Sequence, residues 1–407
     1  LLVVPGDDYD EVRVRRSELR LRNLGYFSGV RRYHLNTSIP EQKDLVFEVD
    51  EQPTGRFMLG VGFSSIDKAM GYVEFFQGNF DIKHPWNFTG GGQKLKLRAE
   101  FGSRRKNYEL LIVEPWFLDR RLRLGLDLYR SEVDYSDYDV ERTGGAISLG
   151  APVFRTVKGE IKYRLERVGL RDFADTNEYF TAEGDSYFFN REEDRTSSTI
   201  HLGLTHDMRN SSFFPTDGTL VSVFGRVSGG VLGCDSDVYG AGFNLRRYEP
   251  LWYNHVLSFN VRYETVDSYG DTEEVPITEK LFAGGGRTLR GFDYRDVGPK
   301  ATRTVTLSDG TEDIYHRPIG GRSRALATVE YLIPIIPQIW LDCFYDTGNV
   351  WEDVYEFESS DLASSAGVGL RFNIPGFPIR IDRGWIIDKD DEMTDDDAWT
   401  VWIGADF

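Results

Sequence analysis

Apolar and polar residues alternate with a period of two along most of the chain after Thr54. In residues 95–101, leucine, alanine and phenylalanine occupy every second position, and lysine, arginine and glutamate lie between them. The same alternation recurs in residues 122–128 and 366–372. Because side chains of a β-strand point alternately to its two faces, each segment predicts a strand with one apolar face and one charged or glycine-rich face.

Repetition of this pattern predicts sixteen strands of roughly ten residues each, an even number that suits a bacterial transmembrane β-barrel. A soluble β-sandwich, whose apolar face is turned inward, produces the same alternation, so the pattern alone leaves both architectures open. Long connections are predicted at 170–196, 268–320 and 388–396, and these would lie on one rim of a barrel. The predicted strands are 55–66, 69–78, 92–103, 106–115, 120–131, 140–151, 159–169, 197–207, 218–229, 237–249, 254–267, 321–333, 338–351, 362–373, 376–387 and 397–407.

Residues 1–53 follow a different pattern. Residues 9–24 combine spaced leucines and valines with many charges, which predicts a surface helix that ends at Gly25. Two strand-like runs follow at 30–36 and 44–50. A helix and two strands are about half of a small α+β domain, so we expect this module to be truncated at its start and its targeting signal to lie upstream or to have been removed.

Composition excludes two classes of protein. The chain contains no run of eighteen apolar residues, and its best apolar stretch is interrupted by Pro334 and Pro337, so a transmembrane helix is excluded. Forty-eight basic and sixty-six acidic residues give a net charge of -18, which makes nucleic acid an unsuitable partner. Cys234 and Cys343 form neither a disulfide framework nor a metal-binding spacing.

Residue types that carry catalysis do not form a recognisable site. His201 and His206 would point to opposite faces of a strand, and glycines 284–286 lack the lysine of a nucleotide-binding loop. Residues 388–397 carry seven acids, which predicts a solvated outer loop or, alternatively, a surface that binds divalent cations near lipopolysaccharide. We therefore predict no enzymatic activity, no cofactor and no dedicated metal site.

The last predicted strand has apolar residues at every second position from Trp399 to Phe407. An alternating strand that closes on an aromatic carboxyl terminus is the signal that outer-membrane barrels present to their own assembly machinery. A soluble protein can end in this way by chance, but the alternation upstream favours the barrel.

Several motifs occur in an order that resembles the BamA superfamily. Leu289, Arg290, Gly291 and Phe292 resemble the arginine-glycine-phenylalanine motif of that family's sixth extracellular loop, and residues 297–300 continue the match. The other matching segments are 22–30 and 51–63 around the end of a POTRA domain, 114–117 in a periplasmic turn, 214–218 in a turn of sequence FPTDG, and 345–351 in the thirteenth strand.

The resemblance implies an all-β membrane protein, with a sixteen-stranded antiparallel transmembrane β-barrel at 54–407. The barrel would be preceded by the C-terminal part of a POTRA domain at 1–53, the last before the barrel. The implied location is the outer membrane of a Gram-negative cell, with the N-terminal module in the periplasm. The implied function is that of the central subunit of a machinery that folds and inserts outer-membrane proteins.

The resemblance also implies an anchor for the sixth loop. In the family the loop arginine folds back into the barrel and pairs with inward-facing acids, and the matching residues here are Arg290, Glu330 and Asp346. A guanidinium group offers a rigid fork for carboxylates, which suits this task. Alternation supports the placement, since Asp342 and Asp346 share a face. Gly291 and Phe292 complete the predicted anchor motif.

The hypothesis for the mechanism concerns the seam between the first and last strands. Glycine-rich strands are weakly held, so residues 54–64 and 399–407 are predicted to separate sideways and accept a client strand. A cysteine pair at Gly60 and Ile403 is predicted to lock this seam. The predicted seam residues are Phe57, Gly60, Gly62, Trp399, Ile403, Gly404 and Phe407.

The implied partners are unfolded outer-membrane protein clients, periplasmic chaperones, accessory Bam lipoproteins, outer-membrane lipid and lipopolysaccharide. Two alternatives stay open. A translocator of the same superfamily, of the two-partner secretion or TamA-like kind, would share the loop motif and the POTRA module. A passive porin or a surface adhesin would lack a POTRA-like start and a loop that carries this motif.

Overall fold

The structure is a computed structural model of the 407-residue chain. It describes residues 1, 3–39, 41–84, 86–135, 137–173, 177–188, 194–212, 214–306, 311–374, 378–390, 393 and 398–403.

The N-terminal module consists of one helix packed beside a two-stranded hairpin. Its elements are α1 (Glu11–Asn23), β1 (Phe27–Asn36) and β2 (Lys43–Glu51). The Asp10 carboxylate caps α1 by accepting hydrogen bonds from the backbone N–H groups of Val12 and Arg13, at 2.8 and 3.3 Å. Val14 on α1 and Val30 on β1 are both buried. Among the described residues, no helix is long and apolar enough to cross a bilayer.

An ion pair ties α1 to the hairpin. Both terminal nitrogens of Arg32 on β1 donate to the carboxylate of Glu11, at 2.6 and 3.1 Å. These hydrogen bonds, with a further one from Tyr9, lower the pKa of Glu11 to about 2. Glu11 is therefore ionised at every pH at which the module would be expected to function, and it fixes the start of the helix against β1.

Sixteen strands form a closed antiparallel barrel in which the last strand returns to the first. The described strands are β3 (Gly55–Ser64), β4 (Lys68–Phe80), β5 (Gln93–Gly102), β6 (Arg105–Glu114), β7 (Arg123–Asp134), β8 (Asp139–Pro152), β9 (Val157–Arg171), β12 (Arg195–Asp207), β13 (Gly218–Ser228), β14 (Val238–Pro250), β15 (Val256–Ser268), β18 (Ser323–Ile336), β19 (Ile339–Trp351), β20 (Ala363–Phe372), β21 (Ile379–Asp388) and β22 (Trp399–Ile403). The prediction of a sixteen-stranded antiparallel barrel is confirmed, and each strand overlaps its predicted segment.

Two of the predicted loops contain a further sheet, so their assignment as loops was wrong in part. Four short strands, in the order β11-β10-β16-β17, form a separate sheet. They are β10 (Tyr179–Phe180), β11 (Ser186–Tyr187), β16 (Lys300–Thr306) and β17 (Glu312–Pro318). Two-residue strands are too short to produce a periodic signal, and the pairing of β10 with β16 joins segments about 120 residues apart.

The outer face of the barrel is apolar, and this decides between the two architectures that alternation left open. Neighbouring strands carry large apolar side chains that point outward and are exposed. A continuous apolar band of this kind suits lipid and not water, which identifies a membrane barrel. Members of the band on six successive strands are Leu128, Ile147, Ile161, Leu202, Val223 and Phe243.

The two rims of the barrel differ. The N-terminal module joins the rim at which β3 begins, and we call this the module rim; the Tyr26 hydroxyl of the module donates to the Gly92 carbonyl in the β4–β5 turn at 3.4 Å. The opposite rim, which we call the loop rim, carries the long connections and the four-stranded sheet.

Replacement of Asp10 by Ala tests the helix cap. We expect a loss of about 1 kcal/mol in helix stability, which corresponds to about fivefold faster amide hydrogen exchange in the first turn of α1. Asp8→Ala is the matched control, because Asp8 lies before the capping residue and its replacement removes the same negative charge. Equal exchange rates in the two variants would contradict the assigned cap.

Candidate functional site: the loop anchor and the strand seam

The segment 281–299 leaves the loop rim and folds into the mouth of the barrel. Isolated bridges join Leu281 to Gly321, Ala283 to Val297 and Gly285 to Leu289. Leu289 and Phe292 are almost fully buried, in one cluster with apolar residues of β15, β18, β19 and β20. We call this segment the inserted loop. Burial of these apolar side chains holds the segment that carries Arg290 in place.

Arg290 lies at the tip of the inserted loop and is 3% exposed. Its Nε and Nη2 atoms donate to the two carboxylate oxygens of Asp346, at 2.6 and 2.7 Å. Its Nη1 atom donates to Glu330 at 3.0 Å and to Asp342 at 3.3 Å. The guanidinium carbon also lies 3.5 Å from the ring centroid of Phe344. Arg290 therefore binds Asp346 through two hydrogen bonds, the bidentate arrangement that a guanidinium group prefers.

The acids around Arg290 have further cationic partners. Arg371 on β20 contacts both Glu330 and Asp342, and Arg380 on β21 contacts Asp382 at 2.6 Å and Glu330 at 3.6 Å. The result is one charge network across four adjacent strands and the loop. Buried carboxylates are stable only when they are paired and hydrogen-bonded, so the network and the loop depend on each other.

Sequence reasoning named Arg290, Glu330 and Asp346 as partners, and the structure brings all three together. It did not name Asp342, Arg371 or Arg380 as members of the site. Alternation could have suggested Asp342, which shares its face with Asp346. Arg371 and Arg380 lie on neighbouring strands. Their proximity to the acids depends on strand register, which cannot be read from the local sequence pattern.

Gly291 and Gly384 allow the loop backbone to touch the barrel wall. Gly291 has a φ of +93°, which favours glycine, and a Cβ on Gly384 would lie 2.6 Å from the Gly291 nitrogen. Two hydrogen bonds fix this approach: the Ser365 hydroxyl donates to the Arg290 carbonyl, and the Ala398 N–H donates to the Gly291 carbonyl at 3.1 Å. Gly291 of the predicted motif is therefore required by close backbone contact.

The seam joins β22 to β3. The described residues include two of its register pairs, Trp402 with Ser64 and Ile403 with Phe63. Beyond these pairs, the Ser65 N–H donates to the Val401 carbonyl at 3.1 Å. Gly404 and Phe407 of the predicted seam lie outside the described residues.

The register corrects the predicted cross-link. Ile403 lies opposite Phe63, not opposite Gly60, which pairs with Tyr72 on β4. A Cβ on Gly60 would lie 2.3 Å from the Tyr72 ring, so this glycine makes room for an aromatic side chain. Alternation already argues against the predicted pair, because Gly60 faces inward and Ile403 outward; it leaves the register open only to shifts by an even number of residues, which keep each side chain on its face.

The other predicted seam residues that the structure describes are Phe57, Trp399 and Gly62. Phe57 points outward and is 66% exposed, and Trp399 is also exposed, beside Arg383. Gly62 lies next to β22, since a Cβ there would be 2.8 Å from the Ile403 carbonyl oxygen. Gly62 thus lies at the pairing edge itself.

A residue that sequence reasoning missed connects the inserted loop to both sides of the seam. The Arg287 guanidinium stacks on the Trp402 ring of β22, 4.4 Å from its centroid. The same group lies 3.7 Å from the Asp67 carboxylate in the β3–β4 turn. Beside it, Gly286 packs so closely on Thr400 that a side chain would not fit. The inserted loop therefore holds β22 and the end of β3 together.

The acid-rich segment 388–397 lies mostly outside the described residues. No group of three or more potential metal-ligating side chains occurs in the part of the chain that the structure describes. Cys234 and Cys343 are both free thiols.

Replacement of Arg290 by Ala tests the anchor. The variant leaves buried carboxylates without their main cation, so we expect a loss of about 3–5 kcal/mol in barrel stability. Residues 268–320 should also become sensitive to protease. Arg130→Ala is the control, because its side chain is 60% exposed and its pairing with Glu141 is worth about 1 kcal/mol or less. Equal urea midpoints and equal protease resistance in both variants would contradict the anchor.

Replacement of Arg287 tests the contact between loop and seam. Arg287→Gln removes the stacking on Trp402, so we expect about threefold to tenfold faster amide exchange at Ser65 and Val401. Arg287→Lys keeps the charge but loses the planar stacking, and we expect an intermediate rate. Amides of the β13–β14 ladder provide the internal reference. Unchanged amide exchange at Ser65 and Val401 in both variants would show that Arg287 does not stabilise the seam.

Comparisons with known proteins agree with this geometry. A family model described as the Omp85 superfamily domain matches residues 87–407. The chain is 28% identical over 390 residues to the outer membrane protein assembly factor BamA of Nitratidesulfovibrio vulgaris, which covers 95% of this chain and 46% of the relative. It is 26% identical over 392 residues to BamA of Neisseria meningitidis, with 90% and 46% covered. The chain thus spans about half the length of these curated relatives.

Solved structures show the same fold. The crystal structure of BamA from Haemophilus ducreyi lacking POTRA domains 1–3 superposes with a TM-score of 0.78 at 22% identity, and covers 96% of this chain and 77% of that chain. CdiB from Acinetobacter baumannii gives a TM-score of 0.58 at 15% identity, with 98% and 69% covered. Because the family model matches well over half of the chain, the chain belongs to the Omp85 superfamily.

Proposed function

We propose that this chain is the membrane-embedded part of an outer-membrane protein assembly factor. In this proposal the barrel lies in the outer membrane and inserts client barrels through the seam between β3 and β22. The names of the relatives from Nitratidesulfovibrio vulgaris and Neisseria meningitidis support this function. The observation that carries the proposal is the outer face of β3, where Phe57, Leu59 and Val61 are 66%, 70% and 68% exposed.

The first strand has the properties of an edge that can accept another strand. Its outward side chains Leu59 and Val61 are 70% and 68% exposed, whereas Val73, opposite Leu59 on β4, is 37% exposed. Gly60 and Gly62 alternate with them. Strand addition uses main-chain hydrogen bonds, which tolerate many client sequences, and the exposed apolar positions supply lipid-facing contacts.

The anchor and the seam have separate roles in this proposal. Arg290 holds the inserted loop against the barrel wall, and Arg287 on the same loop contacts the seam. Opening of the seam therefore requires the loss of the Arg287 contacts but not of the buried Arg290 network. A strong anchor next to a weak contact allows the seam to open while the loop stays in place.

Residues 1–53 are proposed to be the C-terminal part of the last POTRA domain, in the periplasm. The module rim would then face the periplasm and the loop rim the cell exterior. Unfolded outer-membrane proteins are the proposed clients. Periplasmic chaperones and accessory Bam lipoproteins would act on the module side, and lipopolysaccharide would meet the loop rim. The proposed activity is non-enzymatic, because strand exchange requires no covalent chemistry.

The lumen argues against a passive porin. The inserted loop fills the barrel mouth and buries Leu289 and Phe292 there, so a wide aqueous path is blocked on the side of the loop rim. The fold alone does not separate assembly from polypeptide translocation, since CdiB shares the barrel architecture. The assembly function is favoured by the names of the sequence relatives.

A disulfide across the seam tests the proposed function. Phe63→Cys with Ile403→Cys places two thiols on directly paired, lipid-facing positions. Cys234 and Cys343 are replaced by Ser and Ala in every variant. We expect oxidation to abolish client insertion into proteoliposomes and reduction to restore it, because the edge of β3 is no longer accessible.

Val223→Cys with Phe243→Cys is the matched control. These residues pair across β13 and β14, and both are exposed on the outer face, so the control disulfide locks a ladder that is already long. We expect it to leave client insertion unchanged. Full activity of the oxidised Phe63–Ile403 variant would rule out insertion through the seam.

A further inference from the structure

Two turns at the module rim share one backbone conformation but differ in charge. They are residues 115–122, between β6 and β7, and residues 251–255, between β14 and β15, and each follows or includes the proline of a Glu-Pro pair. Leu118 (φ +57°, ψ +33°) and Tyr253 (φ +55°, ψ +28°) occupy equivalent left-handed positions. Asp119 and Asn254, the next residues, are also left-handed. Two successive left-handed residues fit the twist of a β-hairpin, so the two turns are a natural matched pair.

Both turns expose large apolar side chains beyond the ends of their strands. Leu118 is 69% exposed and Tyr253 is 84% exposed. On β7 the exposed Leu126 and Leu128 of the outer apolar band lead towards the first turn. Because that band faces lipid, the turn lies where the hydrocarbon ends and the head groups begin. Aromatic side chains and long basic side chains are favoured at this boundary.

The two turns differ in their cations. Arg120 and Arg121 in the first turn are exposed, and neither forms an ion pair with any residue that the structure describes. In the second turn the equivalent positions are His255 and the buried Val256. His255 is held by Tyr331, whose hydroxyl lies 2.7 Å from its Nδ1 atom. The first turn therefore offers two free guanidinium groups that the second turn lacks.

The β8–β9 turn, residues 153–156, extends the first turn. It exposes Phe154 and Arg155, and Arg155 has no ion pair within the described part of the chain. The two turns are neighbours, because Arg123 at the start of β7 reaches across β8 to Glu160 on β9 at 3.2 Å. The two turns together contain one acid, Asp119. We call the following residues the basic rim patch: Trp116, Leu118, Arg120, Arg121, Phe154 and Arg155.

The connections of the loop rim have the opposite charge. Residues 352–362, between β19 and β20, contain five acids and no basic residue, and residues 388–397 contain seven acids and one lysine. Much of the net charge of -18 therefore lies away from the basic rim patch. Anionic head groups are attracted by unpaired arginines and repelled by acid-rich loops, so charge favours their binding at the module rim.

We propose that the basic rim patch binds the phosphate groups of anionic phospholipids in the leaflet on the module-rim side. Leu118 and Phe154 enter the edge of the hydrocarbon, and Arg120, Arg121 and Arg155 lie at the level of the head groups. A guanidinium group suits this role because its planar fork donates two hydrogen bonds to one phosphate. The patch thereby fixes the depth of the β6–β9 side of the barrel in the membrane. This role does not depend on client insertion.

Quenching of a local fluorescent label by brominated lipid tests the patch. Leu118→Cys carries a bimane label at the patch, and Tyr253→Cys carries the same label at the equivalent turn. Cys234→Ser and Cys343→Ala remove the native thiols. The full chain is placed in nanodiscs of phosphatidylcholine and phosphatidylglycerol, in which one lipid or the other is brominated. We expect phosphatidylglycerol to be enriched about fivefold at position 118 and not at position 253, because attraction to anionic lipid contributes about this factor for each basic residue.

A double substitution and a matched control identify the residues responsible. Arg120→Gln with Arg121→Gln should remove the enrichment at position 118, while brominated phosphatidylcholine still quenches the label. Arg15→Gln with Arg16→Gln is the control. These two arginines are exposed on α1 and have no ion pair with a described residue, so the same two charges are lost outside the barrel. We expect the control to keep the enrichment, and far-UV circular dichroism verifies that each variant is folded.

Four results would overturn the proposal. Equal enrichment at positions 118 and 253 would make the preference a property of the whole rim. Loss of the enrichment in the α1 control would assign it to net charge, and its persistence without Arg120 and Arg121 would exclude these residues. A label at position 118 that neither lipid quenches would place the turn in water, where an acidic protein segment would be the partner. Each result leaves insertion through the seam untouched, since none of these residues lies on β3 or β22.

Discussion

The pairing of Arg290 with Asp346, Glu330 and Asp342 is the interaction on which the interior of the barrel depends. Carboxylates that face a lumen shielded from solvent are stable only with a cation among them. The inserted loop delivers the cation that pairs with Asp346, and Arg371 and Arg380 of the barrel wall pair with the other acids, so the loop and the network stabilise each other. The loop in turn places Arg287 against the seam.

The seam between β22 and β3 is held in part by the inserted loop, because Arg287 contacts Trp402 on one side and Asp67 on the other. Glycines at 60 and 62 on β3 weaken the same edge, since they contribute no side-chain packing across the strands. The buried Arg290 network therefore anchors a loop that also supports the seam next to it.

Much of the fold was predictable because alternation is local, and most of the site was not. The sixteen strands followed from alternation alone, whereas the sheet of β10, β11, β16 and β17 did not, because two of its strands have two residues each. The partners of Arg290 followed from the resemblance of the loop motif. Arg371 and Asp342 joined the site only through strand register. The contact of Arg287 with Trp402 joins residues 115 positions apart, and no local pattern encodes it.

The amino-acid sequence by itself determined the number of strands, their two chemically distinct faces and the motif that forms the loop tip. It did so because the side chains of a strand alternate whatever the strand packs against. The tertiary structure alone decided that the apolar face points outward, that Ile403 pairs with Phe63, and that Arg371 and Arg380 join the Arg290 network. These features depend on closure of the barrel and on its register, which are set by contacts between residues far apart in the chain.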